Sequence, residues 1–278
     1  MRTLISVGLA LAPATWSLAQ TTQPAPAVTT APTTRSVSET LSSGDPKIDA
    51  ILDRLESKGQ TIQGLSTVLI YNEVRFEPVE EKVIKRGELF FRRGEPNARF
   101  MIRFDETVAG GVVQSNKEYY LFDGGWFIER NDRAKSVVRR QIVRPDQRID
   151  PFKLGSGPFP LPFGQRRTEI LANFVAKREP PRPDDPPDTD HINLMPRPNS
   201  ELSQRYRRVD MYVDRRIELP VRIEIERLSD DSIVDVRFER LDPNDAPADS
   251  RFQIDKPTGK DWDFREEPLP PDAPPMRP

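Results

Sequence analysis

Three consecutive segments between residues 208 and 239 constrain the fold most. Val209, Met211 and Val213 alternate with Arg208, Asp210 and Tyr212. Val221, Ile223 and Ile225 alternate with Arg222, Glu224 and Glu226. Val234, Val236 and Phe238 alternate with Asp235, Arg237 and Glu239. A period of two with charges on one side specifies strands with one dry face and one wet face. No strand–helix–strand rhythm accompanies them, so the sheet is expected to be antiparallel.

The earlier strands are expected at 65–76, 82–93, 99–105, 118–123, 126–130 and 136–143. In the first, Val68, Ile70, Val74 and Phe76 hold the even positions. In the second, Leu89 and Phe91 share a face with Phe90 between them. In the third, Phe100, Ile102 and Phe104 alternate with polar or larger flexible residues. Gly124-Gly125 reads as a short hairpin turn. Leu89-Phe90-Phe91 and Tyr119-Tyr120-Leu121-Phe122 place large apolar groups on both faces. Either one face lines a cavity, or both faces are covered by packing.

Helices are expected at three places. Asp45-Pro46 opens the first, with Ile48, Ile51, Leu52 and Leu55 as its apolar stripe and Gly59 as its stop. Residues 145–153 and 165–174 form the others, the last with Ile170, Leu171 and Phe174 apolar. An apolar, turn-rich segment at 155–164 separates them. The Pro- and Asp-rich stretch 179–190 reads as a surface insertion.

The ends are of different composition. Arg2, the apolar run 4–18 and Ser17-Leu18-Ala19 form a cleavable signal peptide over 1–19, with Gln20 as the mature start. The Thr- and Pro-rich stretch 20–44 has little to bury and is expected as a disordered tether. Residues 45–264 form the domain, and 265–278 a loose Pro-rich tail. The chain has no cysteine, which excludes disulfides, thiolate chemistry and an acylated N-terminal cysteine. The exported protein is thus expected to be soluble and free of its own lipid anchor. Net charge is −2, with both signs interspersed, so nucleic acid is not an expected partner.

Catalytic signals are sparse. His191 is the single histidine, and its plain reading is a strand-edge residue. Asp184, Asp185, Asp188 and Asp190 beside it lack the spacing of an EF-hand loop and read as a solvated acidic loop. Carboxylates are too abundant for any one pair to indicate glycoside hydrolysis. Gly110-Gly111 and Gly124-Gly125 precede no helix and so make no phosphate cradle. No cofactor and no metal is expected.

The order of parts, and four local patterns, resemble the LolA family of lipoprotein carriers. Arg86-Gly87-Glu88-Leu89-Phe90-Phe91-Arg92-Arg93 is similar to the family's G-x-L-x-x-x-R strand, and Pro96-Asn97-Ala98-Arg99-Phe100 to the turn and strand that follow it. Asp123-Gly124 with Trp126-Phe127-Ile128 is similar to its hairpin. Phe252 to Gly259 is similar to its closing F-x-F-x-x-P-x-G. The resemblance covers about residues 46–263. Gly94 stands where the family carries proline after the strand arginine, and the 179–190 stretch and the long tether are further departures.

The resemblance implies a mainly β fold with α (α+β): an incomplete antiparallel β-barrel with helices covering its concave face. It implies a monomeric periplasmic protein without catalysis, which carries acylated lipoproteins or lipids toward the outer membrane. An inner-membrane release complex and an outer-membrane acceptor are the partners by analogy. Candidate cavity-lining residues are Val68, Ile70, Leu89, Phe91, Phe100, Ile102, Tyr120, Phe122, Trp126 and Ile128. Arg93, or else Arg92, would hold the helical lid through its backbone. A lipid-sensing interaction module and a hydrolase with a carboxylate pair are the alternatives.

Overall fold

A computed structural model describes residues 41–94, 97–144, 147 and 163–270. The readings for the signal peptide, most of the tether, the 145–153 helix apart from Gln147, the segment 155–162 and residues 271–278 lie outside the described residues.

Helix α1 (Pro46–Thr61) begins as its sequence specifies. Asp45 caps it by accepting from the Lys47 amide at 2.8 Å, and Pro46 fills the first turn. Ile48, Ile51, Leu52 and Leu55 form its buried stripe. Gly59 does not stop it. The helix runs on to Thr61, and Gly59 serves close approach instead: a Cβ there would lie 2.7 Å from Gly164 Cα.

Strands β1 (Gly64–Arg75), β2 (Glu81–Arg92), β3 (Arg99–Ala109), β4 (Val112–Gln114), β5 (Glu118–Asp123), β6 (Trp126–Asn131) and β7 (Ser136–Gln141) follow in series. Gly124 and Gly125 join β5 to β6 with φ of +56° and +83°, a turn that glycine adopts without steric cost. Helix α2 (Arg167–Asn173) is shorter than expected. Phe174 leaves the helical stripe and opens β8 (Phe174–Arg178). The remaining strands are β9 (Thr189–Pro196), β10 (Tyr206–Asp214), β11 (Pro220–Arg227), β12 (Ser232–Asp242) and β13 (Asp263–Glu267).

They make one sheet in the order β13-β7-β6-β5-β3-β2-β1-β12-β11-β10-β9-β8, with β4 attached to β3. Its two ends do not meet, so the barrel is open. β1 and β12 join the early and late strands. Every pairing is antiparallel except β13 on β7, which is parallel. That strand also carries the ordered chain to Glu267, past the expected boundary at 264.

The helices pack on the inner face. Residues of α1 and α2 share one apolar cluster with Leu65, Leu69, Leu89, Phe91, Phe100, Phe104, Phe122, Met211, Ile223 and Val236. A smaller cluster of Phe90, Met101, Leu121 and Phe252 lies on the outer face of the early strands. The chain from 245 to 262 crosses there: Arg92 and Arg99 stack on Phe252 at 5.4 and 4.9 Å, and Arg130 on Trp262 at 5.2 Å. Both faces of the early strands are thus covered.

The outer face of the late strands is charged, as its alternation requires, and it is wet only in part: Arg237 and Glu239 are exposed, but the centre of the face is buried. Asp210, His191, Asp235 and Arg222 are only 1, 3, 6 and 8 % exposed. The β8–β9 loop folds back over them: Asp185 Oδ2 lies 3.6 Å from His191 Nδ1, and Arg222 donates to the Asp184 carbonyl at 3.4 Å. The charges tolerate burial because they are paired, Arg222 with Asp235 at 2.8 Å and Arg208 with Glu224 at 2.9 Å. The stretch 179–190 lies at the surface, as expected, and also covers the centre of this face, and its last two residues already belong to β9.

Candidate functional site: the inner face and the helix tie

Cross-strand register builds the site. Leu65 faces Phe91, Phe91 faces Phe100, Phe100 faces Phe122, and Phe122 faces Phe127. Four phenylalanines therefore form one row across β2, β3, β5 and β6. The next row is Thr67, Leu89, Ile102 and Tyr120. Ring contacts extend both: Phe100 stacks on Phe122 at 5.9 Å, Phe104 meets Tyr120 edge-on at 6.2 Å, and Tyr71 meets Phe104 at 6.2 Å.

The ten expected lining residues do not share a face. Leu89, Phe91, Phe100, Ile102, Tyr120 and Phe122 belong to the inner rows. Val68, Ile70, Trp126 and Ile128 lie on the other side of the sheet. The strand β1 buries its odd positions Leu65, Leu69 and Tyr71 inward, so its even positions face out. Val68 lines an open outer groove of about 460 Å³ with Phe90, Arg240 and Arg251. Trp126 lies beneath the Arg139 guanidinium at 4.7 Å, and Ile128 packs on the Phe90 cluster. Phe104 and Phe127 belong to the inner face and were absent from the expected set, although Phe104 stands in the same alternation as Phe100 and Ile102.

One end of the inner face is polar. Glu118, 4 % exposed, accepts from Lys85 Nζ at 2.5 Å, from the Tyr120 hydroxyl at 2.9 Å and from Asn116 Nδ2 at 3.0 Å. The Tyr71 hydroxyl donates to Glu73 at 3.2 Å and accepts from Arg227 at 3.2 Å. Burial, with the neighbouring carboxylates, pushes the Tyr71 phenol up to about 12 and raises that of Tyr120 further. Both phenols stay protonated at neutral pH, and each of these carboxylates has a cationic partner. Alternation of apolar residues gives no signal for this polar end.

The two arginines at the end of β2 diverge. The Arg93 guanidinium donates from Nε to the Ile62 carbonyl at 2.9 Å and from its terminal nitrogen to the Gly59 carbonyl at 2.9 Å. These are orphan carbonyls at the end of α1, which a cation suits by both hydrogen bonding and the helix dipole. Arg92 turns to the other face, where it bonds the Pro247 carbonyl at 3.0 Å and pairs with Asp249. Arg93 alone of the two therefore grips the helix backbone.

No group of three or more His, Asp or Glu side chains able to hold a metal occurs among the described residues. The expected edge histidine is interior: β9 is one strand in from the edge, and His191 Nε2 lies 2.9 Å from Asp210. Asp190 is taken by Arg178 and Arg215, each at 3.2 Å.

No family model matches the chain, and no curated protein matches it. Solved structures of similar fold include an uncharacterized conserved protein from Thermus thermophilus, with 11 % identity, TM-score 0.44, and coverage of 80 % of this chain and 99 % of that one. Another is MucB in the Pseudomonas aeruginosa MucA/MucB complex, with 13 % identity, TM-score 0.43, and coverage of 75 % and 61 %. A LolA superfamily protein from Nitrosomonas europaea has 12 % identity, TM-score 0.33, and coverage of 74 % and 97 %. The chain's own strand order and helix packing make it a mainly β, open half-barrel with helices on its inner face.

Proposed function

We propose that this chain is a periplasmic carrier that takes the acyl chains of a lipoprotein or lipid between its helices and the inner face of the sheet. The observation that carries this reading is the phenylalanine row beneath a helix whose end is tied by one side chain. An entering acyl chain must lift α1 or slide beside it. Each methylene moved from water into an apolar site contributes about 0.8 kcal/mol. A hydrogen bond from a charged donor contributes about 1.5–3 kcal/mol. About four to eight methylenes therefore offset the loss of both Arg93 bonds, and longer chains bind with a surplus. The same tie, re-forming, favours release. No reacting group is needed, and the paired state of Glu73 and Glu118 suits binding rather than hydrolysis.

The test is lipid uptake. The purified protein is extracted with organic solvent and the extract examined by mass spectrometry. The stripped protein is then titrated with a fluorescent fatty acid. Saturable uptake is expected, and Arg93→Leu is expected to change it because the helix is no longer tied. Absence of uptake by both proteins, with the fold intact by circular dichroism, would overturn the proposal.

A further inference from the structure

The C-terminal segment 261–270 lies along the edge of β7 as an extra strand that adds nothing to either apolar cluster. All five residues of β13 are exposed, Phe264 by 53 %. What holds the segment is a parallel ladder, a line of ion pairs and, at its start, the Trp262 ring against the Arg130 guanidinium. Asp263 donates its amide to the Lys135 carbonyl at 2.9 Å. Asp261 pairs with Lys135 at 2.7 Å, Glu266 with Arg139 at 2.6 Å, and Glu267 with Arg140 at 2.7 Å. Leu269 donates its amide to Gln141 at 3.2 Å, and Arg144 reaches the Pro270 carbonyl at 3.4 Å.

Such a hold is weak. Parallel pairing is less stable per residue than antiparallel, and exposed ion pairs are worth little. A segment without buried apolar contacts opens at the low end of the stability range. The edge it covers is nevertheless selective. Glu266 stands opposite Arg139 and Glu267 opposite Arg140. Successive side chains of a strand point to opposite faces, so β7 offers one cation on each face. A strand that satisfies both must carry acids at two consecutive positions.

The geometry points to the β7 edge as a docking site for an extended acidic segment of a partner protein, which adds as a strand in place of β13. The chain's own tail is the resident competitor and displays the chemistry the edge accepts. Strand addition of this kind draws affinity from the backbone ladder and specificity from the side chains. The alternative is that β13 only blunts an aggregation-prone edge.

The experiment uses the full chain and a fluorescent peptide of residues 261–270, with a second peptide carrying lysine for both glutamates. Glu266→Lys with Glu267→Lys in the protein weakens the resident strand, while Arg139 keeps its stack on Trp126 and Arg140 its pair with Glu129, so both cations stay in place at the edge. The acidic peptide is expected to bind this variant about tenfold more tightly than it binds the wild type, because a larger fraction of edges is vacant. Arg139→Glu with Arg140→Glu is expected to abolish acidic-peptide binding and to admit the lysine peptide. Hydrogen exchange should show β7 amides losing protection in the first variant and regaining it with peptide. Arg265→Pro, which breaks the ladder and keeps the glutamates, provides an independent opening of the edge. Equal binding of both peptides, or no binding to either opened variant, would overturn the proposal. A dimer of an opened variant by light scattering, with the peptide site filled, would overturn it in favour of a second copy.

Discussion

The early and late strands share one inner face and treat their outer faces in opposite ways. Over β2, β3 and β5 the outer face is apolar, with Phe90, Met101 and Leu121 closed by Phe252. Guanidinium carbons of Arg92, Arg99 and Arg251 lie 5.4, 4.9 and 4.9 Å from the ring centroids of Phe252, Phe252 and Phe90. Over β9 to β12 the outer face is a paired polar layer closed by the β8–β9 loop, in which Asp210 serves His191 and Asn193, both at 2.9 Å. The two halves show that covering a sheet face does not require apolar side chains. It requires that the charges beneath the cover are paired, as Asp210 is with His191 and Asn193 and Arg222 with Asp235.

The comparison breaks most visibly if the polar cover is unpaired. Asp210→Ala leaves His191, Asn193 and Arg208 facing a gap, and is expected to cost about 3–5 kcal/mol, as for one partner of a buried pair. Urea unfolding measures it. On the apolar side, Phe252→Ala is expected to cost about 3 kcal/mol by loss of buried surface and cavity formation, and to loosen the crossing segment by hydrogen exchange. If the two values were reversed by a wide margin, the outer layers would not be equivalent solutions. Arg93→Ala removes two charge-assisted bonds and is expected to cost about 3 kcal/mol, the low end for two such bonds, with increased exchange confined to the end of α1.

Acid sharpens the same contrast. Burial pushes the Asp210 carboxyl up, but the hydrogen bonds of His191 and Asn193, with the charge of Arg208, outweigh it and hold its pKa below the ordinary value. A carboxylate lowered on folding contributes stability above its unfolded pKa of about 3.9, and that contribution is lost as pH falls through the folded value. Asp210→Asn is expected to flatten this acid limb of the stability curve, measured by thermal unfolding across pH, while Phe252→Ala leaves its slope unchanged. The smallest effect is expected at the exposed edge, where Glu267→Ala should shift stability by less than about 1 kcal/mol.

Alternation in the sequence predicted β10, β11 and β12, because each carries apolar residues at every second position and buries nearly all of them. It placed Val68 and Ile70 on the wrong side because β1 carries apolar residues in both phases, and Leu65, Leu69 and Tyr71 win the inner one. β13 has no apolar phase at all. Asp-Phe-Arg-Glu-Glu becomes a strand only through β7, so no local pattern could reveal it. The charged face of the late strands looked wet because polarity was equated with exposure, whereas the pairing that permits burial comes from residues far apart in sequence. Arg93 was legible through its family resemblance, and the polar end around Glu118 was not, since Lys85, Asn116 and Tyr120 meet there only through the sheet register.

The grip of Arg93 on α1 falls on main-chain oxygens, which every amino acid supplies. Mutation of the helix therefore cannot easily remove the acceptors, and α1 is free to drift in sequence so long as its apolar stripe and Gly59 survive. The surface that the helix presents can change while its attachment stays the same. A fold built this way separates the composition of its cover from how that cover is fastened.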